Sequence, residues 1–594
     1  LTTATDKTAL AAWVRALDRT APYGRGEGQA LPDLVAGMAA AGAARPALLA
    51  DADSLSYGDL AGRMHQYARW ALRQGIAAGE VVCLVLPNCP DYVAIWLGVT
   101  AVRGVVALVN PSQTGAALLH AITAVAPRHV VVGAALEPAV TAVRERLPGG
   151  LRLWTHGAGG VAPRIDAQVA ALSAEPLDAA ERRPPALAEL ALHIYTSGTT
   201  GLPKAANVSH RRIAEWAQWF AGMIDTQPGD RMYNCLPMYH SVGGVVAVGA
   251  MLAGGGSVLI REKFSASRFW DDVADHGCTL FQYIGELCRY LVNTPPQPRE
   301  RAHRLRLCCG NGLRGDIWEA FQERFAIPRI LEFYAATEGN LSLYNGPGRP
   351  GAIGHVPAFL AHRFPVALVR CDPETRALLR GADGLCIPCG RDEAGEALGR
   401  IGDAATTHGR PFEGYTDAAA SDAKIARDVL ASGDTWFRTG DLMRRDGAGF
   451  FYFVDRLGDT FRWKGENVAT DEVASVLTAC PGVTEAVVYG VGVPGAEGRA
   501  GMAALTVDAG FDLAVFRRHV TERLPDYARP LFLRVGGGIA ATATFKPAKA
   551  LLARDGYDPD QVGGALYFDD RAAGAFVPLD RALHARLRDG ALRV

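Results

Sequence analysis

A mostly apolar run, Leu190-Ala191-Leu192-His193-Ile194, leads straight into Tyr195-Thr196-Ser197-Gly198-Thr199-Thr200-Gly201-Leu202-Pro203-Lys204. The run reads as a buried strand, so the loop leaves the end of a sheet. Its two glycines free backbone N–H groups to point into a concavity, while four hydroxyls and a lysine add donors and charge. Such a loop suits a polyphosphate. The spacing Gly198-x-x-Gly201-x-x-Lys204 differs from the G-x-x-x-x-G-K-[ST] of a Walker loop, and Pro203 argues against an immediate helix. Taken alone, the segment also reads as a plain Gly/Ser/Thr turn.

Further segments set it in context. They are Met238-Tyr239-His240-Ser241-Val242-Gly243-Gly244, Gly310-Asn311-Gly312-Leu313-Arg314 and Phe333-Tyr334-Ala335-Ala336-Thr337-Glu338-Gly339-Asn340. Later come Trp436-Phe437-Arg438-Thr439-Gly440-Asp441-Leu442, the run from Asp455-Arg456-Leu457-Gly458-Asp459 to Lys464-Gly465-Glu466-Asn467-Val468, and Thr544-Phe545-Lys546. In this order they resemble the adenylate-forming superfamily of acyl-CoA synthetases, peptide-synthetase adenylation domains and luciferases. The last two segments resemble its fatty-acid-transport-protein branch, the long- and very-long-chain acyl-CoA synthetases. The resemblance runs from about residue 50 to near the C-terminus.

At 594 residues the chain exceeds a single-core domain. A formal net charge of −1 without a long basic run argues against nucleic acid as a partner. The eleven cysteines are scattered, most in apolar stretches, which fits a reducing cytoplasm better than a disulfide scaffold. Cys386-Ile387-Pro388-Cys389 has metal-like spacing, but no second CxxC or CxxH follows, so a structural turn is expected. Residues 1–19 show no signal-peptide core. The greasiest region, Val81 to Asn110, is interrupted by Pro87, Asn88, Pro90 and Asp91; it reads as strand, helix and strand, not a membrane span. The expected location is cytoplasmic, with peripheral membrane contact compatible with long acyl substrates.

Strand-then-helix patterns punctuated by Gly and Pro fill about three quarters of the chain, which predicts α/β layers. Ser209 is expected to cap a helix with Ile213, Trp216, Ala217 and Phe220 on one face. Thr470 is expected to cap another, with Asp471 and Glu472 in its first turn and Val473, Val476 and Leu477 buried. Strands and a helix follow, making a compact α+β unit of about 130 residues. The expected architecture is a large multilayered α/β domain over residues 1–457 and a smaller, mobile α+β domain over 458–594, with Gly458 as the hinge.

Joining a carboxylate to the α-phosphate of ATP requires charge neutralisation, alignment and stabilisation of leaving pyrophosphate. The resemblance assigns catalytic parts to Lys546, His240, Glu338 and Thr199. It implies that Thr196, Ser197, Gly198, Thr200, Gly201 and Lys204 hold the β- and γ-phosphates, that Thr337 contacts phosphate, and that Glu338 holds Mg²⁺. Tyr334 would stack on adenine opposite Gly310-Asn311-Gly312, Asp441 would accept from the ribose hydroxyls, and Arg456 would face the nucleotide. His240 would line the passage between acid and ATP. Lys546 would bridge carboxylate and α-phosphate; Ala543 stands where the family has glycine, and Lys549 is the competing lysine. In the second half-reaction coenzyme A attacks the acyl-adenylate. The smaller domain would turn so that Lys546 withdraws and Gly465-Glu466-Asn467 approaches, with residues 468–470 near the pantetheine path.

The expected activity is ATP-dependent acyl-CoA synthesis from a carboxylic acid, a long-chain fatty acid first. The run Asn110-Pro111-Ser112-Gln113-Thr114 departs from the branch's Asn-Thr-Asn wording, which keeps another acid, aromatic or nitrite, as an alternative. Tyr334-Ala335 lacks the aspartate with which peptide-synthetase domains hold a substrate amine. A non-catalytic fatty-acid transport or binding protein is the alternative from another class; it would have no use for Lys204, Glu338, Asp441, Arg456 and Lys546 together.

Overall fold

The structure is a computed structural model. It describes residues 4–51, 53–196, 202–372, 375–402, 411–463, 466–494, 496, 498–536, 539, 549–589 and 592. By its internal contacts the chain divides into two compact units, Leu1–Phe364 with Ile401–Ile425, and Pro365–Arg400 with Ala426–Val594. Compactness therefore groups residues 365–400 and 426–457 with the C-terminal residues. A pivot at Gly458 is a separate question, of motion rather than compactness.

In the larger unit the described residues form two sheets. One is eight-stranded, in the order Ser342–Asn345, Ile330–Ala335, Leu307–Asn311, Leu280–Ile284, Arg231–Asn234, Ser257–Ile260, Pro46–Leu49, Ser54–Ser56. Its inner pairs are parallel and only the two edge pairs are antiparallel. The other is six-stranded, in the order Arg152–His156, His129–Gly133, Val81–Val85, Val105–Leu108, Leu190–Thr196, Lys204–Ser209. It is parallel except for the last hairpin. Val81–Val85 and Val105–Leu108 are buried at every position, the signature of parallel strands covered on both faces.

Helices between the sheets tie them into one core. Trp70, Trp96, Phe220 and Met251 share a cluster with Val82, Leu84 and Ile194 of the six-stranded sheet and Val258, Leu280 and Leu331 of the eight-stranded one. Apart from Asp91 in its first turn, Pro90–Ala101 is apolar all round and buried accordingly. The region from Val81 to Asn110 is thus strand, helix and strand, as expected. His210–Met223 starts where the sequence predicts, with Ser209 Oγ accepting the Arg212 N–H at 3.2 Å. Ile213, Ala217 and Phe220 are buried on it, and Trp216 is partly covered.

In the smaller unit, Val366–Val369, Gly395–Arg400, Thr435–Arg445 and Phe450–Arg456 pair antiparallel in that order. Cys386 and Cys389 lie in the connection between the first two, with both thiols pushed up by burial, Cys389 to about 11. The segment is not the turn expected from sequence: the Cys386 and Cys389 N–H groups donate to the Val429 and Leu368 carbonyls, and Pro388 bridges antiparallel to Val369, so it is an extended stretch alongside strand Val366–Val369. Among the described residues no group of three or more His, Cys, Asp or Glu is arranged to hold a metal.

Beyond a hairpin of Phe461–Trp463 and Glu466–Val468 lies a five-stranded sheet, in the order Val483–Gly492, Arg499–Val507, Phe532–Val535, Ala565–Asp570, Ala575–Pro578. Helices Thr470–Thr478, Leu513–Arg523, Lys549–Asp555 and Arg581–Arg588 accompany it. Here the structure corrects the cap. Ala469, not Thr470, precedes the first helical residue and makes no side-chain cap. Thr470 is instead the first residue of the helix. Its N–H and hydroxyl donate to the buried Asp455 carboxylate, at 2.5 and 2.9 Å. No helix among the described residues is long and apolar enough to cross a membrane.

Candidate active site

The turn that follows strand Ile330–Ala335 carries Thr337 and Glu338, and three separate elements hold it. From helix His210–Met223, the half-stacked Arg212 guanidinium (4.8 Å from the Trp216 ring centre) donates to the carbonyls of Thr337, at 2.8 Å, and Gly339. From the π-helix Ser241–Val246, Ser241 Oγ lies 2.9 Å from Thr337 Oγ1. From the segment around residue 415, Tyr415 OH donates to Glu338 Oε1 at 2.9 Å. A π-turn is an uncommon local geometry that recurs at functional sites. Here it follows His240, whose ring lies 4.4 Å from that of Tyr239.

Tyr415 also links this turn to the Gly/Ser/Thr loop. Thr196 and Lys204 pair directly across the hairpin that brackets the loop. Lys204 Nζ lies 5.8 Å from the centre of the Tyr415 ring, and the Thr196 hydroxyl bonds to its phenol. Burial and the Glu338 carboxylate raise the Tyr415 phenol well above the usual range, so it stays a donor. Its own backbone is fixed: Asn207 N–H donates to Gly414 C=O at 2.9 Å, Thr416 N–H to Ala205 C=O at 3.0 Å, and Ser209 to the Glu413 carboxylate through both N–H and hydroxyl. Ser197, Gly198, Thr199, Thr200 and Gly201, the tip of the loop, lie outside the described residues, as do Gly465 and Lys546.

Gly310 and Asn311 end the strand Leu307–Asn311, beside the one carrying Tyr334, and Gly312 follows it. Gly312 turns the chain with φ +80°, and a Cβ on the neighbouring Gly285 would come within 1.7 Å of its carbonyl oxygen. This is a close backbone approach that only glycine permits. Tyr334 is partly exposed, as a stacking surface must be.

In the smaller unit, Asp441 and Arg456 are register partners on adjacent strands, with Arg456 Nε 3.4 Å from Asp441 Oδ1. Thr439 Oγ1 accepts the Asp441 N–H at 3.0 Å and donates to Ala397 C=O at 2.7 Å. Gly440, at φ +76°, gives its N–H to the fully buried Glu396, which Arg438 neutralises at 2.6 Å. The Thr-Gly-Asp sequence is thus a braced kink that presents one carboxylate.

Sequence reasoning brought forward Glu338, Lys204 and Thr196, which the structure gathers around one phenol, and Thr337, which it places against Ser241. It overlooked that phenol, and also Arg212 and Ser241. Arg212 carried no signal, being one of three basic side chains in the run His210-Arg211-Arg212. Tyr415 carried none.

The residues 37–380 match the family model of AMP-binding enzymes, and 472–546 match that of the AMP-binding enzyme C-terminal domain. The chain belongs to the AMP-binding enzyme family. It is 41% identical to long-chain fatty acid transport protein 1 of Mus musculus over 525 residues, covering 87% of this chain and 80% of that protein. It is 41% identical to long-chain fatty acid transport protein 3 of Homo sapiens over 529 residues, covering 87% and 76%. These relatives define the branch of the family in which it falls.

Among solved structures, ATP-bound MatB from Rhodopseudomonas palustris aligns with TM-score 0.74 at 24% identity, over 89% of this chain and 100% of that one. The anthranilate CoA ligase AuaEII in complex with anthranoyl-AMP gives TM-score 0.74 at 19% identity, over 87% and 95%. A fatty acyl CoA synthetase of Mycobacterium tuberculosis gives 0.63 at 20%, over 89% and 98%. The fold is that of adenylate-forming enzymes, a large α/β N-terminal part and a smaller C-terminal one.

The residues suit Mg²⁺. Glu338 and the Thr337 hydroxyl offer hard oxygen donors on one turn, and a nucleotide's phosphates supply the remaining ligands of such a site.

Proposed function

We propose that the protein is an ATP-dependent long-chain fatty acyl-CoA synthetase. The convergence of Thr196, Lys204 and Glu338 on Tyr415 supports this reading most, because it joins a phosphate-loop base to a metal-type carboxylate. The branch relatives, named for long-chain fatty acid transport, favour a fatty acid as the carboxylate.

In the first half-reaction a carboxylate oxygen of the acid attacks the α-phosphorus of ATP, and pyrophosphate leaves. Lys204, Thr196 and the loop of Ser197, Gly198, Thr199, Thr200 and Gly201 hold the β- and γ-phosphates. Thr337 contacts phosphate, and Glu338 would hold Mg²⁺, which when bound neutralises phosphate charge. Tyr334 and Gly310–Gly312 enclose adenine; Asp441 accepts from the ribose hydroxyls, with Arg456 facing the nucleotide. His240 lines the passage between acid and ATP, and Lys546 stabilises charge where carboxylate meets α-phosphate. In the second half-reaction the thiolate of coenzyme A attacks the acyl carbonyl and AMP leaves. Residues 458–594 turn about Gly458 between the two, bringing Gly465 toward the adenylate. Gly458 sits at φ +135°, a conformation that favours glycine.

Purified protein mixed with ATP, Mg²⁺ and a panel of acids should release pyrophosphate with long-chain fatty acids, and added coenzyme A should yield the thioester by mass. Release with an aromatic acid or nitrite alone would reassign the substrate. No release with any acid, despite fatty-acid binding, would leave a binding protein.

A further inference from the structure

Three neighbouring strands place Tyr283, Gly310 and Glu332 side by side, with Tyr283 in register with Gly310 and Gly310 with Glu332. Gly310 has no room for a side chain, since a Cβ there would lie 2.2 Å from the Tyr283 carbonyl oxygen. Glu332 reaches past it. Its Oε2 meets Tyr283 OH at 2.5 Å, while Oε1 accepts the N–H of Gly312 and, at 3.2 Å, that of Leu313. Glu332 is 1% exposed, so these contacts are made out of water, where an unpaired N–H is costly. Along its own strand Glu332 stands two residues before Tyr334, on the same face.

We propose that Glu332 is a positioning residue for the nucleotide: it fixes the Gly312–Leu313 turn as one wall of the adenine slot and registers that wall against Tyr334. The inference rests on the adenine placement proposed above. No other side chain is bonded to both the turn and the strand of Tyr334 among the contacts described for these residues.

Burial pushes the Glu332 carboxyl up to about 8, with the bonds from Tyr283, Gly312 and Leu313 opposing. Near neutral pH the protonated acid keeps the same contacts by donating from Oε2 to the Tyr283 oxygen. A glutamine amide does likewise, which makes Glu332→Gln the conservative replacement. Glu332→Leu keeps the bulk and removes both acceptors.

The test measures dissociation constants for ATP and GTP by calorimetry on the full chain, with KM for the acid alongside. At pH 7, Glu332→Gln should bind ATP within about twofold of wild type. Glu332→Leu should bind it about tenfold more weakly, with a reduced preference for ATP over GTP and an unchanged acid KM, since about 1.4 kcal/mol of lost hydrogen bonding is a factor of ten. A general loss of structure would move the acid KM as well and spare base preference. A folded Glu332→Leu with wild-type ATP affinity and base preference overturns the inference. If that variant does not fold, Tyr283→Phe decides: ATP affinity about threefold weaker supports the brace, and unchanged affinity overturns it. Tyr334→Ala separates the two levels. Wild-type ATP binding in Tyr334→Ala removes the adenine slot itself; weakened binding there with an unaffected Glu332→Leu removes only the role of Glu332.

Discussion

Glu338 and Tyr415 are 77 residues apart in sequence, and the bond between them is the detail of the site that no local pattern announces. Glu338 was legible because it sits in a Thr-Glu-Gly segment whose neighbours already suggest nucleotide chemistry. Tyr415 follows a glutamate and a glycine and looks like any turn aromatic; only the pairing of residues 205–209 with 413–416 brings it to the carboxylate. Tyr415→Phe should keep the ring, which is 6% exposed, and lose one hydrogen bond to a carboxylate, worth about 1.5–3 kcal/mol. The expected outcome is a Mg²⁺ concentration for half-maximal pyrophosphate release raised about tenfold, with melting temperature within a few degrees of wild type. A Mg²⁺ dependence identical to wild type would show that Glu338 needs no such support. Lys546 makes the complementary case, with its role argued from sequence alone. Lys546→Ala should reduce acyl-adenylate formation by about a hundredfold or more, the scale of losing a transition-state contact. Thioester formation from pre-made acyl-adenylate should be largely spared. Equal loss in both assays would point to a structural lysine.

Elements with a strong period were readable, and those built by long-range contacts were not. The helix from His210 has Ser209 as its cap and an apolar face at helical spacing, so sequence places both its start and its buried side. Thr470 looked equally convincing as a cap. Yet the buried Asp455, on a strand fifteen residues earlier, takes both its N–H and its hydroxyl, and the helix starts one residue sooner than a cap would allow. Lys549 completes that arrangement, donating to Thr470 Oγ1 at 2.7 Å and to Asp471 at 3.0 Å, which gives the rival lysine a structural post. The π-helix Ser241–Val246 was similarly invisible, since Gly243-Gly244 reads as a loop. Its glycines are steric necessities: a Cβ on Gly244 would lie 2.1 Å from the Met238 carbonyl oxygen. Gly244→Ala should therefore force the turn apart, destabilise the protein by about 2 kcal/mol or more, and displace Ser241 from Thr337. Calorimetric melting together with the ATP dissociation constant checks this. An unchanged melting temperature would mean the turn relaxes at no cost.

Across the whole molecule, layering and domain count were legible from strand–helix alternation and length. Which segments cluster with which was not, because Pro365–Arg400 joins strands that come later in the chain. Three histidines in the larger unit set a further molecule-wide property. His129, His193 and His210 are at most 4% exposed, and burial pushes each down to about 4. Trp154 Nε1 donates to His129 Nδ1 at 2.9 Å, as it can only to a neutral ring. A depressed histidine pKa means that the unfolded chain takes up protons from about pH 6.5 downward while the folded one does not, so stability present above that pH falls as pH drops toward 4. Each histidine accounts for at most about 3 kcal/mol of this loss. Thermal melts should decline steadily between pH 6.5 and 4, and a flat melting temperature across that window would refute buried neutral histidines. The anchoring of the Thr337–Gly339 turn has its own consequence at this scale. Arg212 belongs to a helix whose Phe220 packs against Phe333, one strand position from Tyr334, so the turn hangs from the same packing that excludes water from the core. Detaching the turn from Arg212 disturbs the helix that carries this packing. A substitution in this packing, remote from every proposed nucleotide contact, therefore reaches the Thr337–Gly339 turn through Arg212, and a loss of stability there carries a loss of turnover with it.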